Sequence, residues 1–204
     1  MIAILGYGLG NTRAFQNIYR ELNIPCVLAE DRATLAAADR IILPGVGAFD
    51  HAMQRLKASG LFETLEEAVQ GHRKPVLGVC VGMQMLARSS EEGVEPGLGW
   101  IDGTVRKIDF LENSPLRLLP HMGWSTIRHD ASEPLLAGLD EALGFYFLHS
   151  YHFVCSDAAD VIATTDYAKS FHCAVRRDNV HGVQFHPEKS HHNGIRLLKN
   201  FAES

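Results

Sequence analysis

The chain lacks the features of a membrane or nucleic-acid protein. No apolar stretch reaches the roughly 18 residues that a membrane-spanning helix needs, and no run of basic residues is present. With 19 Lys and Arg against 24 Asp and Glu, the formal net charge is -5, which disfavours non-specific binding to nucleic acid or to anionic membranes. The amino terminus starts with the strand-like run Met1–Leu5 and has no signal-peptide pattern. We therefore expect a cytosolic protein.

Cysteine is scarce, and the four cysteines are too far apart to form a Cys-x-x-Cys metal or redox motif. In the cytosol we expect reduced thiols. Three of the four lie in apolar, strand-like stretches and are predicted to fill the core: Cys26, Cys155 and Cys173. The fourth, Cys80, has different surroundings and is considered below.

No sequence pattern calls for a cofactor or a metal. The glycines of Gly6–Gly10 resemble a dinucleotide-binding turn, but Asn11 stands where that fingerprint needs glycine. The pair His191–His192, with His149 and His152 elsewhere, matches no metal-ligand spacing. We therefore predict neither a metal nor an organic cofactor.

The first half of the chain alternates predicted strands with predicted helices. The strands are Ile2–Leu5, Cys26–Ala29, Ile41–Leu43 and Val76–Val79, and the helices are Thr12–Leu22, Phe49–Ala58, Leu61–Gln70 and Met83–Ser89. Such alternation predicts βαβ units and a parallel sheet.

The second half, after a loop-rich stretch at 91–99, is mostly predicted strand. The strands are Gly103–Ile108, Trp124–Ile127, Gly144–Leu148, Val161–Thr164, Cys173–Arg176 and Gly182–Phe185, followed by a helix at Asn193–Phe201. A turn at Asp178-Asn179 predicts a hairpin between the last two strands. No repeat, low-complexity segment or linker interrupts the chain, so residues 1–204 are predicted to form a single α/β domain with a mixed sheet.

Cys80 is the most informative residue of the sequence. An apolar run ends on it in the pattern Gly-x-Cys-x-Gly, within Pro75–Gln84. With serine at the centre, this spacing forms the nucleophile elbow of α/β hydrolases, a tight strand-to-helix turn in which glycines give the backbone room. The turn places the sulfur at a helix N-terminus, where the dipole favours the thiolate. We interpret Cys80 as a nucleophile.

A second apolar run ends at His186, and Glu188 follows two residues later. Pro187 disfavours helix at His186, and residues i and i+2 of an extended chain face the same side. The Glu188 carboxylate can then orient the imidazole and stabilise its charged form, as in catalytic triads. Reactive groups in open α/β sheets meet at the carboxyl ends of strands, so we predict a Cys-His-Glu triad.

A third strand-to-helix turn, Pro44–Phe49, contains two glycines. Glycine allows a peptide group to approach a ligand or to reverse its direction. We predict that an N–H group of Val46 or Gly47, with that of Val81, forms an oxyanion hole for a tetrahedral intermediate.

These three motifs, in this order, resemble those of class I (triad-type) glutamine amidotransferases. More closely, the chain is similar to the family of glutaminase subunits of imidazole glycerol phosphate synthase, an enzyme of histidine biosynthesis. The similar segments run almost end to end: Gly6–Asn11, Pro44–Phe49, Gly78–Gln84, Gly97–Trp100, Pro120–Trp124, Tyr146–Tyr151, His186–Ser190 and Leu197–Phe201. The resemblance implies a flavodoxin-like, three-layer α/β domain with a mixed, largely parallel central sheet.

The resemblance also implies roles for single residues. Cys80 attacks the side-chain amide of glutamine, His186 is the general base and acid, and Glu188 orients it. The substrate-binding positions are Gly45, Gln84, His149, Ser150 and Tyr151. Four residues match positions at or near an interface with a (β/α)8-barrel synthase subunit, which receives the ammonia in a heterodimer: Asn11, Met122, Trp124 and Lys189.

Some positions depart from the family pattern. Ser125 stands where asparagine is usual, which affects a partner-facing hydrogen bond. Three segments resemble instead a paralogous branch that supplies ammonia to a surface-sugar amidotransferase: Ala87–Gly93, Tyr151–Cys155 and Ser190-His191. The two branches share the glutaminase site and differ in the ammonia acceptor, so both acceptors stay open.

Two further alternatives are a stand-alone cysteine hydrolase acting on γ-glutamyl amides and a silent subunit that only binds a partner. The intact set of Cys80, His186 and Glu188 argues against a silent subunit. The family resemblance further implies that the free subunit is poorly active, because the Pro44–Gly47 turn presents the wrong backbone group until the partner binds its ligand.

Overall fold

The computed structural model describes residues 1–110, 118–130 and 132–204. Its strands are β1 Ile2–Leu5, β2 Cys26–Ala29, β3 Arg40–Gly45, β4 Val76–Cys80, β5 Ser89–Ser90, β6 Gly103–Lys107, β7 His121–Ser125, β8 Arg128–His129, β9 Phe145–His149, β10 Tyr151–Cys155, β11 Val161–Tyr167, β12 Lys169–Arg177 and β13 Val180–Val183. Its helices are α1 Thr12–Glu21, α2 Arg32–Ala36, α3 Phe49–Ala58, α4 Phe62–Glu66, α5 Val81–Gln84 and α6 His191–Glu203. Within the described ranges, no helix is long and apolar enough to cross a membrane.

Five parallel strands form one half of the main sheet, in the order β2-β1-β3-β4-β13. The chain moves one way from β1 to β2 and the other way from β2 through β3 to β4. Because such crossovers are right-handed, α1 lies on one face and α2, α3 and α4 lie on the other. Helix α6 packs beside α1, where the Tyr19 hydroxyl donates to the Leu198 carbonyl at 3.2 Å.

Antiparallel pairing extends the same sheet from β13 through β12 and β10 to β6. Strand β5 adds to β6 in parallel, and β11 pairs with β12 and carries β8. Strands β7 and β9 form a separate antiparallel pair, here named the β7–β9 ribbon. The mixed α/β sheet expected from the sequence is confirmed.

The core explains why the first strands are read so easily from the sequence. Every residue of β1 and β4 is buried, as expected of parallel strands covered by helices on both faces. Helix α1 instead is buried on one side only, where Phe15 and Tyr19 lie four residues apart on the same helix face. Continuous apolar runs therefore mark the strands, and spaced ones mark the helix.

Several sequence-based assignments need correction. The strand predicted at Gly182–Phe185 lies two residues earlier, at Val180–Val183, and helix α2 was not predicted. The helix predicted at Met83–Ser89 is wrong, because α5 ends at Gln84 and Ser89 already belongs to a strand. Met85–Ala87 are all fully buried, so this segment has no polar face from which a helical period could be judged. The strand predicted at Trp124–Ile127 is displaced, since β7 starts at His121. The predicted helix Leu61–Gln70 ends in a π-helical turn, and the alternating strand β10 was not predicted.

Candidate active site

Cys80 sits at the junction of β4 and α5, in the strained backbone conformation φ 55°, ψ −114°. Two glycines make this junction possible by close approach. A Cβ atom on Gly82 would lie 2.0 Å from the Leu43 carbonyl oxygen, and one on Gly78 would lie 2.6 Å from the Gly82 oxygen. The predicted elbow is therefore present in the fold, with the cysteine only 4% exposed.

His186 and Glu188 lie together as predicted, but by a different local geometry. The backbone is extended only at His186, and Pro187–Lys189 form a 3-10 turn rather than an extended segment. The turn still brings the Glu188 Oε1 atom to 2.9 Å from Nδ1 of the His186 ring. Both side chains are buried, at 6% and 2% exposure, so the carboxylate fixes the ring through Nδ1.

The charge state of His186 follows from its neighbours. Burial by itself lowers the pKa of the imidazole, but hydrogen bonds and charge interactions with Cys80 and Glu188 outweigh burial and raise that pKa to about 10. His186 is therefore cationic at neutral pH. An imidazolium beside the sulfur stabilises a thiolate and can later donate its proton.

The carboxyl ends of β3, β4 and β13 meet at one edge of the sheet and enclose a cavity of about 290 Å³. Ten residues predicted for the site line it: Val46, Gly47, Cys80, Val81, Gln84, His149, Ser150, Tyr151, His186 and Lys189. Its volume is at the small end of ligand pockets, which span roughly 300–1,000 Å³. The cavity therefore suits a small molecule.

The remaining predicted residues lie outside the cavity wall. Glu188 is behind His186, and Gly45 is buried where a Cβ would lie 2.3 Å from the Gly82 nitrogen. Asn11 is exposed on the surface. Met122 and Trp124 are 65% and 51% exposed on the β7–β9 ribbon.

Three lining residues were not predicted from the sequence: Glu92, Pro120 and Leu148. Glu92 is the acidic residue of the cavity wall, and its Oε2 atom accepts a 2.8 Å hydrogen bond from the backbone of Phe49. A fixed carboxylate at that wall is suited to a ligand ammonium group. Glu92 falls in the acidic, glycine-containing stretch at 91–99, where nothing in the sequence separates a ligand-binding carboxylate from a solvated one.

The turn after β3 is restrained on one side and open on the other. The Tyr7 hydroxyl donates a 2.6 Å hydrogen bond to the Pro44 carbonyl, and burial, with the nearby Cys80 charge, raises the pKa of Tyr7 so that it stays a donor. Val46 is 38% exposed. Gly47 has φ +84°, and a Cβ there would meet no atom within 4 Å. The end of the turn thus has room to change its peptide orientation.

Comparison with known proteins agrees with this geometry. The family model described as glutamine amidotransferase class-I matches residues 9–204. The chain is 54% identical to the imidazole glycerol phosphate synthase subunit HisH of Bdellovibrio bacteriovorus, with all of both chains covered. It is 49% identical to HisH of Leptospira interrogans over 99% of each chain, and 47% identical to HisH 2 of Pseudomonas aeruginosa over 100% of this chain and 99% of that one.

Solved structures show the same fold at low sequence identity. A crystal structure of a glutamine amidotransferase superposes with a TM-score of 0.74 at 20% identity, covering 99% of this chain and 97% of that one. The structure of PurLQS from Thermotoga maritima gives a TM-score of 0.67 at 19% identity, with 99% and 97% covered. From the family match and the full-length relatives, the chain belongs to the class-I glutamine amidotransferase family.

Proposed function

We propose that the chain is the glutaminase subunit of an imidazole glycerol phosphate synthase, which releases ammonia from glutamine for use by a partner subunit. One observation carries the proposal. A cysteine on a strained elbow shares a small cavity with a histidine that a buried glutamate holds at 2.9 Å. Its relatives along the whole chain carry that enzyme's name.

The first half-reaction breaks the carbon–nitrogen bond. The Cys80 thiolate attacks the side-chain amide carbon of glutamine, and the carbonyl electrons move onto the oxygen. When this tetrahedral intermediate collapses, the leaving nitrogen takes the proton of His186 and departs as ammonia. A γ-glutamyl thioester and a neutral His186 are left.

The second half-reaction restores the enzyme. Neutral His186 removes a proton from water as the water oxygen attacks the thioester carbon. Collapse expels the Cys80 thiolate and leaves the γ-carboxylic acid, which loses its proton to solvent to give glutamate, with His186 again protonated. Glu188 stabilises the imidazolium at both ends of the cycle without itself taking a proton.

The oxyanion of both intermediates needs hydrogen-bond donors. We assign one to the backbone N–H of Val81, which follows Cys80, and the other to the turn that contains Val46 and Gly47. Support comes from the position of all three residues in the cavity wall. We assign Glu92 as the acceptor of a hydrogen bond from the α-ammonium group of glutamine, Gln84 as a contact of the bound glutamine, and the backbone of residues 149–151 as the support of its amino-acid end.

The partner surface is assigned to the exposed side of the β7–β9 ribbon, near the mouth of the cavity. Met122 and Trp124 are large, exposed and apolar, which is typical of interface anchors. The Lys189 ammonium lies 5.6 Å above the Tyr146 ring and also lines the cavity. We propose that a (β/α)8-barrel synthase subunit docks here, over Asn11 as well, and receives ammonia by a buried route.

Glutamate release from glutamine tests the reaction, with and without the barrel subunit. We expect Cys80→Ala to lower turnover by at least about 10³-fold. Cys26→Ala, which removes a half-buried cysteine outside the cavity, is the matched control and should keep full turnover. Full activity in Cys80→Ala would exclude the mechanism.

Co-purification from the native cell tests the partner and the pathway. A barrel subunit that forms imidazole glycerol phosphate with this chain supports the proposal. A sugar amidotransferase in its place would assign the chain to the paralogous branch. Strong activity in the isolated chain with no stable complex would indicate a stand-alone hydrolase. If Cys80 does not react selectively with a glutamine-like electrophile, the chain is a silent subunit.

A further inference from the structure

Three side chains on the β7–β9 ribbon form a hydrogen-bonded row beside the cavity. The Ser125 Oγ atom lies 3.0 Å from Nε2 of His121, and Nδ1 of His121 lies 3.0 Å from Nε2 of His149. Nδ1 of His149 in turn lies 2.8 Å from the Tyr151 carbonyl oxygen. The row therefore links the ribbon to the segment that lines the cavity.

Only one set of donors and acceptors satisfies this row. Burial lowers the pKa of His149 to about 3 and that of His121 to about 4, so both rings are neutral at pH 7. A carbonyl oxygen only accepts, so Nδ1 of His149 carries its hydrogen and Nε2 accepts from His121. Nε2 of His121 must then accept from the Ser125 hydroxyl.

The Tyr151 carbonyl oxygen connects this hydrogen-bonded row to Gln84. It accepts a second hydrogen bond, at 2.9 Å, from the Gln84 amide nitrogen. The other N–H of that amide donates to Oε1 of Gln184 at 3.1 Å. Both donors of Gln84 are thus used, and its oxygen is left as the group that can accept from a ligand in the cavity.

The Gln184 side chain contacts both Gln84, which lines the cavity, and Cys80. It is fully buried, its oxygen accepts from Gln84, and its amide nitrogen lies 3.8 Å from the Cys80 sulfur. A sulfur at that distance can accept the N–H, and an N–H donor favours the charged sulfur over the neutral thiol. Gln184 therefore contacts the reacting thiolate and the substrate-binding amide at once.

From this arrangement we propose that His121 and Gln184 are positioning residues that clamp the Gln84 amide from its two sides. His121 acts through His149 and the Tyr151 carbonyl, and Gln184 acts directly. The clamp fixes the Gln84 oxygen as an acceptor for an N–H group of the substrate. The inference rests on the proposed glutaminase function and concerns the same cavity.

Two substitutions of His121 test its hydrogen bonds: one removes them and keeps the ring stacking, and the other restores the donor to His149. Its ring stacks on Phe147 and Tyr167, with centroids 4.7 Å and 4.1 Å apart. His121→Phe keeps this stacking and removes both hydrogen bonds. His121→Asn places an amide N–H near the position of Nδ1 and restores the donor to His149.

Steady-state kinetics of the complex with the barrel subunit test the clamp. We expect His121→Phe to raise KM for glutamine about tenfold with a smaller change in kcat, as loss of one well-made hydrogen bond predicts. His121→Asn should return KM to within about threefold of the native value. His152→Phe is the matched control, because the only hydrogen bond of the His152 ring among the described residues is to the neighbouring Phe153 carbonyl, its aromatic contact is with Phe171, which Phe can keep, and it lines a different cavity.

Loss of the Gln184 N–H donor should mainly lower kcat, whereas loss of the His121 hydrogen bonds should mainly raise KM. Gln184→Glu can still accept from Gln84 but cannot donate to sulfur, so we expect kcat to fall at least about tenfold with KM nearly unchanged. Gln184→Met, of similar shape, should impair both constants. Urea unfolding of each variant identifies any that fail to fold.

The outcomes separate the clamp from the proposed function. If folded His121→Phe and Gln184→Met keep native KM and kcat, the clamp is wrong while the glutaminase function stands. If His121→Asn fails as badly as His121→Phe, the role is structural and the clamp is likewise wrong. If the native complex itself releases no glutamate, the proposed function fails. Alkylation of Cys80 then still tests the clamp. If the clamp orders Gln84 for substrate recognition, His121→Phe should slow the reaction of Cys80 with a glutamine-like chloroketone but leave its reaction with iodoacetamide unchanged.

Discussion

The Tyr7 hydroxyl donates to the carbonyl oxygen of Pro44 at 2.6 Å, and this contact joins the segment after β1 to the last residues of β3, from which the turn at Val46 and Gly47 starts. The bond is buried, and burial raises the pKa of Tyr7, so the hydroxyl keeps the proton that it donates. It restrains the near side of a turn whose far side, at Gly47, is open. The contact therefore opposes any reorientation of the peptide groups above Cys80.

Removing that hydroxyl should loosen the turn. We expect Tyr7→Phe to raise glutaminase turnover of the partner-free chain several-fold and to lower the free energy of unfolding by about 1 kcal/mol. Glutamate release and urea unfolding measure the two effects. Tyr19→Phe removes a similar buried bond to the Leu198 carbonyl, far from the site, and should lower stability alone. An unchanged partner-free rate in Tyr7→Phe would show that the hydroxyl does not restrain the turn.

The alkaline limb of the pH–rate profile should report His186. In the proposed mechanism the proton of His186 goes to the leaving nitrogen, and the pKa of His186 is raised to about 10. We therefore expect kcat/KM to stay level through neutral pH and to fall near that value. Glu188→Gln removes the opposite charge that favours the imidazolium. The pKa should then fall, and the alkaline limb should move toward neutral pH. A limb that stays in place in Glu188→Gln would mean that another group controls it.

The backbone at Cys80 stores strain that the elbow needs. Its φ of 55° with ψ of −114° is a conformation that glycine adopts at little cost and a residue with a Cβ does not. We expect Cys80→Gly to be more stable toward urea than Cys80→Ala by about 1 kcal/mol, since both lack the sulfur and only glycine relieves the strain. Neither should release glutamate. Equal stability of the two variants would mean that the surrounding glycines have already relaxed the elbow.

The sequence predicts strands β1 to β4 well because these strands are apolar on both faces. Strands β1 and β2 have the predicted limits, and β3 and β4 contain the predicted ones. The proximity of Cys80, His186 and Glu188 could also be predicted, since each lies at or just after a strand end and the ends of parallel strands meet at one edge. These features are predictable because each depends on residues that are close together in the sequence.

Contacts that depend on pairing between distant segments could not be predicted in this way. His121 meets His149 only because β7 and β9 pair in that register, and nothing within either segment fixes it. Gln184 reads as one polar residue in an apolar strand, and its contacts come from β4 and α5. The end of α5 was also predicted wrongly, because Met85–Ala87 are completely buried and complete burial removes the periodic signal of a helix.

Trp124 should be an energetic anchor of the partner surface. Its indole is 51% exposed and stacks on the His191 ring, with centroids 5.3 Å apart and planes 2° from parallel. This contact fixes the indole before docking, which lowers the entropy lost on binding. We expect Trp124→Ala to raise the dissociation constant of the barrel subunit about 30-fold, as expected for a loss of about 2 kcal/mol.

The chain offers both a probe and a control for this measurement. The only other tryptophan is Trp100, which is buried and bonded to Glu66, so Trp100→Phe leaves Trp124 as the sole indole reporter. Its emission should shift to shorter wavelength when the partner covers it. Arg73→Ala, exposed near the amino end of β4 and so opposite the site, should bind with native affinity. Native affinity in Trp124→Ala, or no shift of emission in a saturated complex, would place the interface elsewhere.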